Sequence, residues 1–351
     1  MPAVPRRALL RGALGLGGAL ALGGCGLGAE PSGGRWAGRF LTVATGGGAL
    51  RTDMWTGLCE PFRRATGCRV TDVSLPPEQL IAELRRQFFV GRPEWDVVIL
   101  DTPRLLALAR AEPQLFARPP DRALPWRGTP SAAERAIGVP LLTDTLLPLR
   151  RVAPFAGDSP DSWSALWDTA RFPQPRALPR DPVGLLEAAL LADGADPAAL
   201  YPLDLDRAFA ALDRLRATVV DWWTIRERGT DALTLGAVDL LVTRGGDARA
   251  ALATGAHIVP LGVPVPTLPQ TLALSRGSAN ATQARDFLAL ALTDAVQATF
   301  AMQGYWPALA TAPAPAAAPV LVPLDLGWWA TEGAAALERF AAWFGQDAVA
   351  G

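Results

Sequence analysis

Trp95-Asp96-Val97-Val98-Ile99-Leu100-Asp101 is the stretch on which the fold turns. An unbroken apolar run closed by an acid reads as a strand buried on both faces, and Leu105, Leu106 and Ala109 line the helix that follows it. Upstream, Phe40-Leu41-Thr42-Val43-Ala44 is a strand, and a helix with Trp55, Leu58 and Phe62 on one face follows, with a kink expected at Pro61. Arg69 to Val73 is the next strand, and Leu80, Ile81, Leu84 and Phe88 mark another amphipathic helix. This alternation predicts an α/β fold with a wound, largely parallel sheet, whose ligand site lies at the carboxyl ends of its strands.

Outward from this unit, Glu112 to Pro130 is dense in Pro and Arg and reads as a surface excursion. Ile137-Gly138-Val139-Pro140-Leu141-Leu142 then reads as an extended crossing. A second α/β series begins beyond it. Its helices are marked by Trp163, Leu166 and Trp167, by Asp181-Pro182 as N-cap and first turn, and by Asp204 to Val220. Ala237 to Thr243 is its clearest strand, and Gly262 to Pro269 reads as a second crossing. Strand and helix resume over Thr271–Leu274 and Thr282–Leu292, and a helix around Ala335 to Phe344 closes the chain. The expected organisation is residues 39–141 with 270–351 as one lobe and 142–269 as the other, the architecture of a hinged clamp.

Composition excludes several chemistries. All 33 basic residues are arginine, so the lysine of a P-loop NTPase or a Schiff-base enzyme is missing. The one histidine, His257, stands in an apolar run that reads as a buried strand, so no histidine metal cage is available, and neither metal nor cofactor is expected. A net charge of −1 leaves no footprint for nucleic acid. Phe287 to Met302 is interrupted by Asp294 and Gln297 and reads as a packed helix rather than a span.

At the amino end, Arg6, Arg7 and Arg11 precede thirteen uncharged residues and then Cys25. That run is too short to cross a bilayer, which takes about 20 residues, and has the length of a signal-peptide core. Leu22-Gly23-Gly24-Cys25 resembles a bacterial lipobox, which implies removal of residues 1–24, lipidation of Cys25 and a flexible tether over 25–38. Pro5 to Arg11 resembles a twin-arginine signal, with Pro5 and Leu9 departing from its usual Ser/Thr and Phe, and the general secretory route is the alternative. Cys59 and Cys68 are close enough in sequence for a disulfide in an oxidising compartment; two free thiols are the other reading.

Thr45-Gly46-Gly47-Gly48, Pro61-Phe62, Thr66-Gly67, Trp95-Asp96-Val97-Val98, Ser162 to Asp168, Val220-Asp221-Trp222-Trp223-Thr224, Gly236 to Asp239 and Trp328-Trp329 recur in this order in a known family. From about Phe40 onward the chain resembles the extracellular solute-binding proteins of ABC importers, nearest the spermidine/putrescine branch. The resemblance implies a type II periplasmic-binding-protein fold, two α/β lobes joined by a hinge with the ligand cleft between them. It also implies a monomer without enzymatic activity, working with a permease and its ATPase and touching the membrane through its lipid anchor only. An exported hydrolase with a carboxylate pair, and a ligand-sensing adaptor on the same fold, are the alternatives.

Several residues are candidates for the site. Gly46, Gly47 and Gly48, after Thr45, stand between a strand and a helix start, where amides and the helix dipole could face an anion; a tight turn is the plainer reading. Asp101 could accept from a cationic ligand or cap the helix that Thr102-Pro103 opens. Trp222 and Trp223 must point to opposite sides of an extended segment, so one is core and the other is free to face the cleft. Arg244 and Asp247 follow a strand at its carboxyl end. The resemblance adds Thr143 and Asp144 as cleft positions and Asp181 as a polyamine-binding carboxylate. Gly184, Leu268 and Gln270 depart from the polyamine clasp, and Arg244 stands where relatives carry tryptophan. A polyamine-like solute or a related amine or zwitterion is therefore expected, rather than spermidine itself.

Overall fold

The computed structural model describes residues 33–121, 123–155, 157–316 and 318–345. The leader, Cys25 and the first part of the expected tether lie outside the described residues.

Twelve strands join in one sheet: β1 (Phe40–Thr45), β2 (Arg69–Ser74), β3 (Val97–Asp101), β4 (Phe116–Ala117), β5 (Gly138–Arg151), β6 (Arg176–Pro179), β7 (Val219–Trp223), β8 (Leu240–Arg244), β9 (Ile258–Pro260), β10 (Val265–Ser275), β11 (Trp306–Pro307) and β12 (Leu321–Val322). Their main order is β2-β1-β3-β10-β5-β8-β6-β7. β1, β2 and β3 run parallel in one half, and β6, β7 and β8 run parallel in the other. β5 and β10 lie antiparallel between them. β5 changes partner part-way: up to Thr145 it pairs with β10, and from Leu146 with β8. The two crossings expected from the sequence are these strands.

Burial follows the strand pattern. Every residue of β3 is buried, as a central strand covered on both faces requires. One half is packed around Leu41, Val43, Phe62, Ile99, Phe287 and Phe300. The other gathers Leu178, Leu186, Leu190, Leu212 and Val242 with Trp329, Phe340 and Trp343. Those last three belong to the terminal helix Leu326–Gly345. The same helix packs Leu326 and Ala330 against the Leu105–Leu108 cluster of the first half. It begins nine residues before the Ala335 expected from the sequence and leans on both halves.

Four local expectations meet the structure, and two of them, at His257 and in the tether, are corrected. At Pro61 the helix is irregular: the turn before it, Trp55–Cys59, widens to π geometry, with the Glu60 amide donating to the Trp55 carbonyl. Proline removes a donor and crowds the carbonyl four residues back, and an inserted π turn relieves both. Cys59 and Cys68 are buried free thiols. Burial pushes Cys59 up to about 12 and Cys68 up to about 11, so both stay protonated and inert at neutral pH. His257 is exposed, just before β9, and not buried. The expected tether is docked before it ends: the Trp36 indole donates to Asp286 Oδ2 at 2.9 Å and its amide to the Thr66 carbonyl at 2.8 Å.

No helix among the described residues is long and apolar enough to cross a membrane.

Candidate functional site

The parallel strands of both halves turn their carboxyl ends toward one cavity of about 50 Å³. At about 10–15 Å³ per water it holds about three to five waters, or a small solute. Gly46 follows β1, Leu100 and Asp101 end β3, Arg180 and Asp181 follow β6, Trp223 and Thr224 end β7, and Arg244 ends β8. Gln270 joins them from β10, where it stands opposite Asp101 in the ladder. Arg104, Arg226, Leu50, Pro76, Pro77 and Glu78 complete the wall.

Charges dominate that wall. Arg104 forms a fork with Asp181, Nη2 to Oδ1 at 2.8 Å and Nη1 to Oδ2 at 3.1 Å. Its Nη1 also reaches Asp101 Oδ2 at 3.0 Å, and its Nη2 reaches Glu78 Oε1 at 3.1 Å. Arg244 Nη2 adds 3.2 Å to Asp181 Oδ2. Burial would raise the Asp181 carboxyl, but Arg104 and Arg244 outweigh it and hold the group below the ordinary aspartate range.

Across the cavity, Arg226 opens the helix Arg226–Thr234 and is buried. Its Nε donates to Asp247 Oδ2 at 2.6 Å and its Nη1 to the Gly47 carbonyl at 3.0 Å. Nη2 is buried with no hydrogen-bond partner among the described residues, 3.5 Å from Asp144 Oδ2. Burial pushes the Asp144 carboxyl above its ordinary range despite Arg226 and Arg244. Arg226 Nη2 is therefore ion-paired to Asp144 while its hydrogen-bonding capacity is unused, in a residue that lines the cavity.

The backbone admits this packing at Gly48. It takes φ +66°, and a Cβ there would stand 2.5 Å from Arg226 Nε and from Asp247 Oδ1. Only glycine lets the segment after β1 come so close to the other half.

Of the residues picked from the sequence, Gly46, Asp101, Asp181, Trp223, Arg244 and Gln270 line the cavity. The others have different tasks. The anion site expected at Gly46–Gly48 is filled by the protein itself, because Asp247 Oδ1 accepts from the Ala49 amide at 2.6 Å at that helix start. Asp144 accepts from the amides of Thr145 and Gly246 at 2.8 and 3.2 Å. Thr143 pairs with Pro269 and Trp306 in the sheet, and Thr45 is buried behind the lining. Trp222 packs edge-on against Trp343 and Phe344, centroids 5.6 and 5.1 Å away, outside the lining. Asp101 does cap its helix, accepting from the Arg104 amide at 3.3 Å. Asp181 is not an N-cap: the helix starts at Leu185 behind Gly184, and Asp181 Oδ1 accepts from the Val183 amide at 2.9 Å instead. Arg104 and Arg226 were missed because each stands in a segment, Thr102-Pro103-Arg104 and Arg226-Glu227-Arg228, that reads as an ordinary helix start. Their signal was position: both lie three residues after a strand end. Among the described residues no cluster of three or more His, Cys, Asp or Glu could hold a metal ion.

Residues 57–322 match the bacterial extracellular solute-binding proteins. The chain belongs to that family. Its members bind solutes and are not enzymes, which sets aside the exported hydrolase. The chain is 28% identical over 330 residues to the gamma-aminobutyric acid-binding protein of Pseudomonas aeruginosa, covering 86% of this chain and 90% of that one. It is similar to the crystal structure of an ABC transporter substrate-binding protein from Bradyrhizobium japonicum USDA 110, at TM-score 0.76 and 27% identity over 87% of this chain and 99% of that one. The PBP MotA from A. tumefaciens B6, solved in complex with glucopine, shares the fold at TM-score 0.77 and 22% identity, over 86% and 99% of the two chains.

Proposed function

We propose that this protein is the lipid-anchored capture subunit of an ABC importer and that its cleft closes on a small solute through that solute's carboxylate. The observation that carries the ligand class is the guanidinium-rich lining, Arg104, Arg180, Arg226 and Arg244, in which Arg226 Nη2 is ion-paired to Asp144 but makes no hydrogen bond among the described residues. A carboxylate is the group whose paired oxygens suit a guanidinium fork. One relative supports this reading, a gamma-aminobutyric acid-binding protein, whose named ligand carries a carboxylate. The lobes we assign are residues 39–141 with 270–351, and 142–269, hinged along β5 and β10. Ligand touching both would favour the closed arrangement by its differential affinity for it.

A polyamine-like solute fits this cavity less well. A buried dication needs unpaired acids, and Asp101 and Asp181 are already engaged by Arg104 and Arg244.

A thermal-shift panel of short mono- and dicarboxylates, γ-aminobutyrate and putrescine tests this reading. A ligand at 100 times Kd adds about 2.7 kcal/mol. At about 2–4 °C per kcal/mol that is a rise of roughly 5–10 °C. At least one carboxylate is expected to produce it and putrescine none; silence from every carboxylate counts against the reading. The anchor has its own test. Cys25→Ser is expected to move the protein from the detergent-extracted membrane fraction to the soluble one, since two acyl chains are what hold it. Unchanged membrane recovery would remove the lipid from the proposal.

A further inference from the structure

We infer that Arg104 is a cation built into the ligand site, occupying the place an ammonium group would take, so that the solute is a small carboxylic acid whose other end is uncharged. The inference rests on the carboxylate-capture reading above and extends it to the far end of the ligand.

The argument is an inventory of acceptors. A zwitterion such as an amino acid needs a carboxylate in the cleft for its ammonium, because burying an unpaired cation is costly. The cavity is lined by three acids, Asp101, Asp181 and Glu78. Each oxygen of Asp181 already accepts twice: Oδ1 from Arg104 Nη2 at 2.8 Å and from the Val183 amide at 2.9 Å, Oδ2 from Arg104 Nη1 at 3.1 Å and Arg244 Nη2 at 3.2 Å. Each oxygen of Asp101 accepts once, Oδ1 from the Arg104 amide at 3.3 Å and Oδ2 from its guanidinium at 3.0 Å, and Arg244 Nη2 stands 3.9 Å from Oδ2, so its charge is already balanced by two guanidinium groups. Glu78 also reaches Arg104 and stands at the rim, with 64% of its side chain exposed against 1% for Arg104. Water competes for that one acid, so it discriminates weakly.

Donors are in the opposite condition. Arg226 Nη2 and Arg104 Nε are both buried without hydrogen-bond partners among the described residues. A site with donors to spare and buried acids whose charge is already balanced by arginines favours oxygen-rich anions over amines. Arg104 also joins the two halves. It rises from the helix after β3 and forks onto Asp181, which follows β6. The cross-cleft ion pair that an amino-acid ligand would supply with its ammonium is thus supplied by the chain. A bidentate guanidinium–carboxylate pair is the hardest kind for an incoming amine to displace.

Matched pairs decide it. Calorimetric titration of the full protein with glycolate against glycine, 3-hydroxypropionate against β-alanine, 4-hydroxybutyrate against γ-aminobutyrate and 5-hydroxyvalerate against 5-aminovalerate changes only the far group at each length. At the chain length that binds best, the hydroxy acid is expected to bind at least 10-fold more tightly than its amine. Arg104→Gln, which frees Asp101 and Asp181, is expected to narrow or invert that ratio by 10-fold or more. Equal or tighter binding of the amine by the unaltered protein overturns the inference while leaving carboxylate capture standing. No binding of any of the eight compounds overturns capture of a short carboxylate and this inference with it. Should Arg104→Gln fail to fold, the unaltered protein's ratios still decide between acid and amine.

Discussion

Replacing Arg226 by leucine is expected to weaken carboxylate binding by roughly 30- to 3,000-fold, the equivalent of the 2–5 kcal/mol that follows truncation of one member of a buried charge pair. Two losses combine in that change. The guanidinium of a cavity-lining residue disappears, with the Nη2 that makes no hydrogen bond, and the bond from Nη1 to the Gly47 carbonyl disappears with it. Asp247 and Asp144 would then lose the cation they share, with Arg244 alone acting on Asp144, and folding would suffer as well as binding. Arg226→Lys separates the contributions, since it keeps a charge but cannot fork, and its affinity is expected to fall between the two. Calorimetry with whichever acid gives the largest thermal shift reads the binding term, and urea midpoints read the folding term. The pH dependence has a definite sign. Asp144 sits above its ordinary range already, so its protonated form suits the fold; that contribution is complete below about pH 3.9, the ordinary aspartate value, and is lost as pH rises through the raised one. Removing Arg226 enlarges this loss. The stability deficit of Arg226→Leu should therefore be greater at pH 7.5 than at pH 4.5. Full affinity in Arg226→Leu would mean that the carboxylate is held elsewhere.

The two α/β series and both crossings were legible because burial imposes its period directly on the residues. Val97 to Leu100 has no alternative to a covered strand, and Gly138 and Val265 open the crossings that the Pro- and Gly-rich stretches announced. The cavity wall was half legible for the same reason. Asp101, Asp181, Trp223 and Arg244 stand at strand ends, and a wound sheet puts its site there. What the sequence could not convey was which charge pairs with which. Asp247 takes the helix start that Gly46–Gly48 offered to a ligand, and it can do so only because two distant segments meet at Gly48. Arg104 meets Asp181 across 77 positions, and no local pattern encodes that distance. Trp222 and Trp223 illustrate the same limit. Alternation told us that they diverge, but the terminal helix decided which one was covered by Trp343. His257 failed differently: its apolar neighbours suggested burial, yet it stands exposed just before a three-residue strand of which only Ile258 is buried.

Trp329→Ala is expected to cost about 3–5 kcal/mol, the range for emptying a buried aromatic site, and to lower Tm by roughly 6–20 °C. Trp329 is among the largest fully buried side chains and carries the terminal helix into the core of the second half. Its indole also does polar work there. Nε1 donates to Glu187 Oε1 at 3.0 Å and lies 3.2 Å from the Tyr201 hydroxyl, which itself donates to the same oxygen at 2.6 Å. Trp329→Phe removes the N–H while keeping most of the volume, and is expected to cost about 1–3 kcal/mol, the penalty for a buried acceptor that loses a donor. The pH dependence distinguishes packing from polarity. Burial lifts the Glu187 carboxyl above its ordinary range, against the Tyr201 and Trp329 donors that favour the charged form. A raised acid contributes stability that is complete below its unfolded value, about 4.3, and is lost as pH climbs through the folded one. Taking away the Trp329 donor raises the folded value further. The Tm deficit of Trp329→Phe should then be small at pH 4 and grow toward pH 7.5, whereas a pure cavity cost would be the same at both. A deficit independent of pH would reduce the indole to a space-filler. Because the helix Leu326–Gly345 rests on both halves through Ala330 and Trp329, the Ala variant should also lose part of the thermal rise on ligand addition, its closed arrangement having one brace fewer.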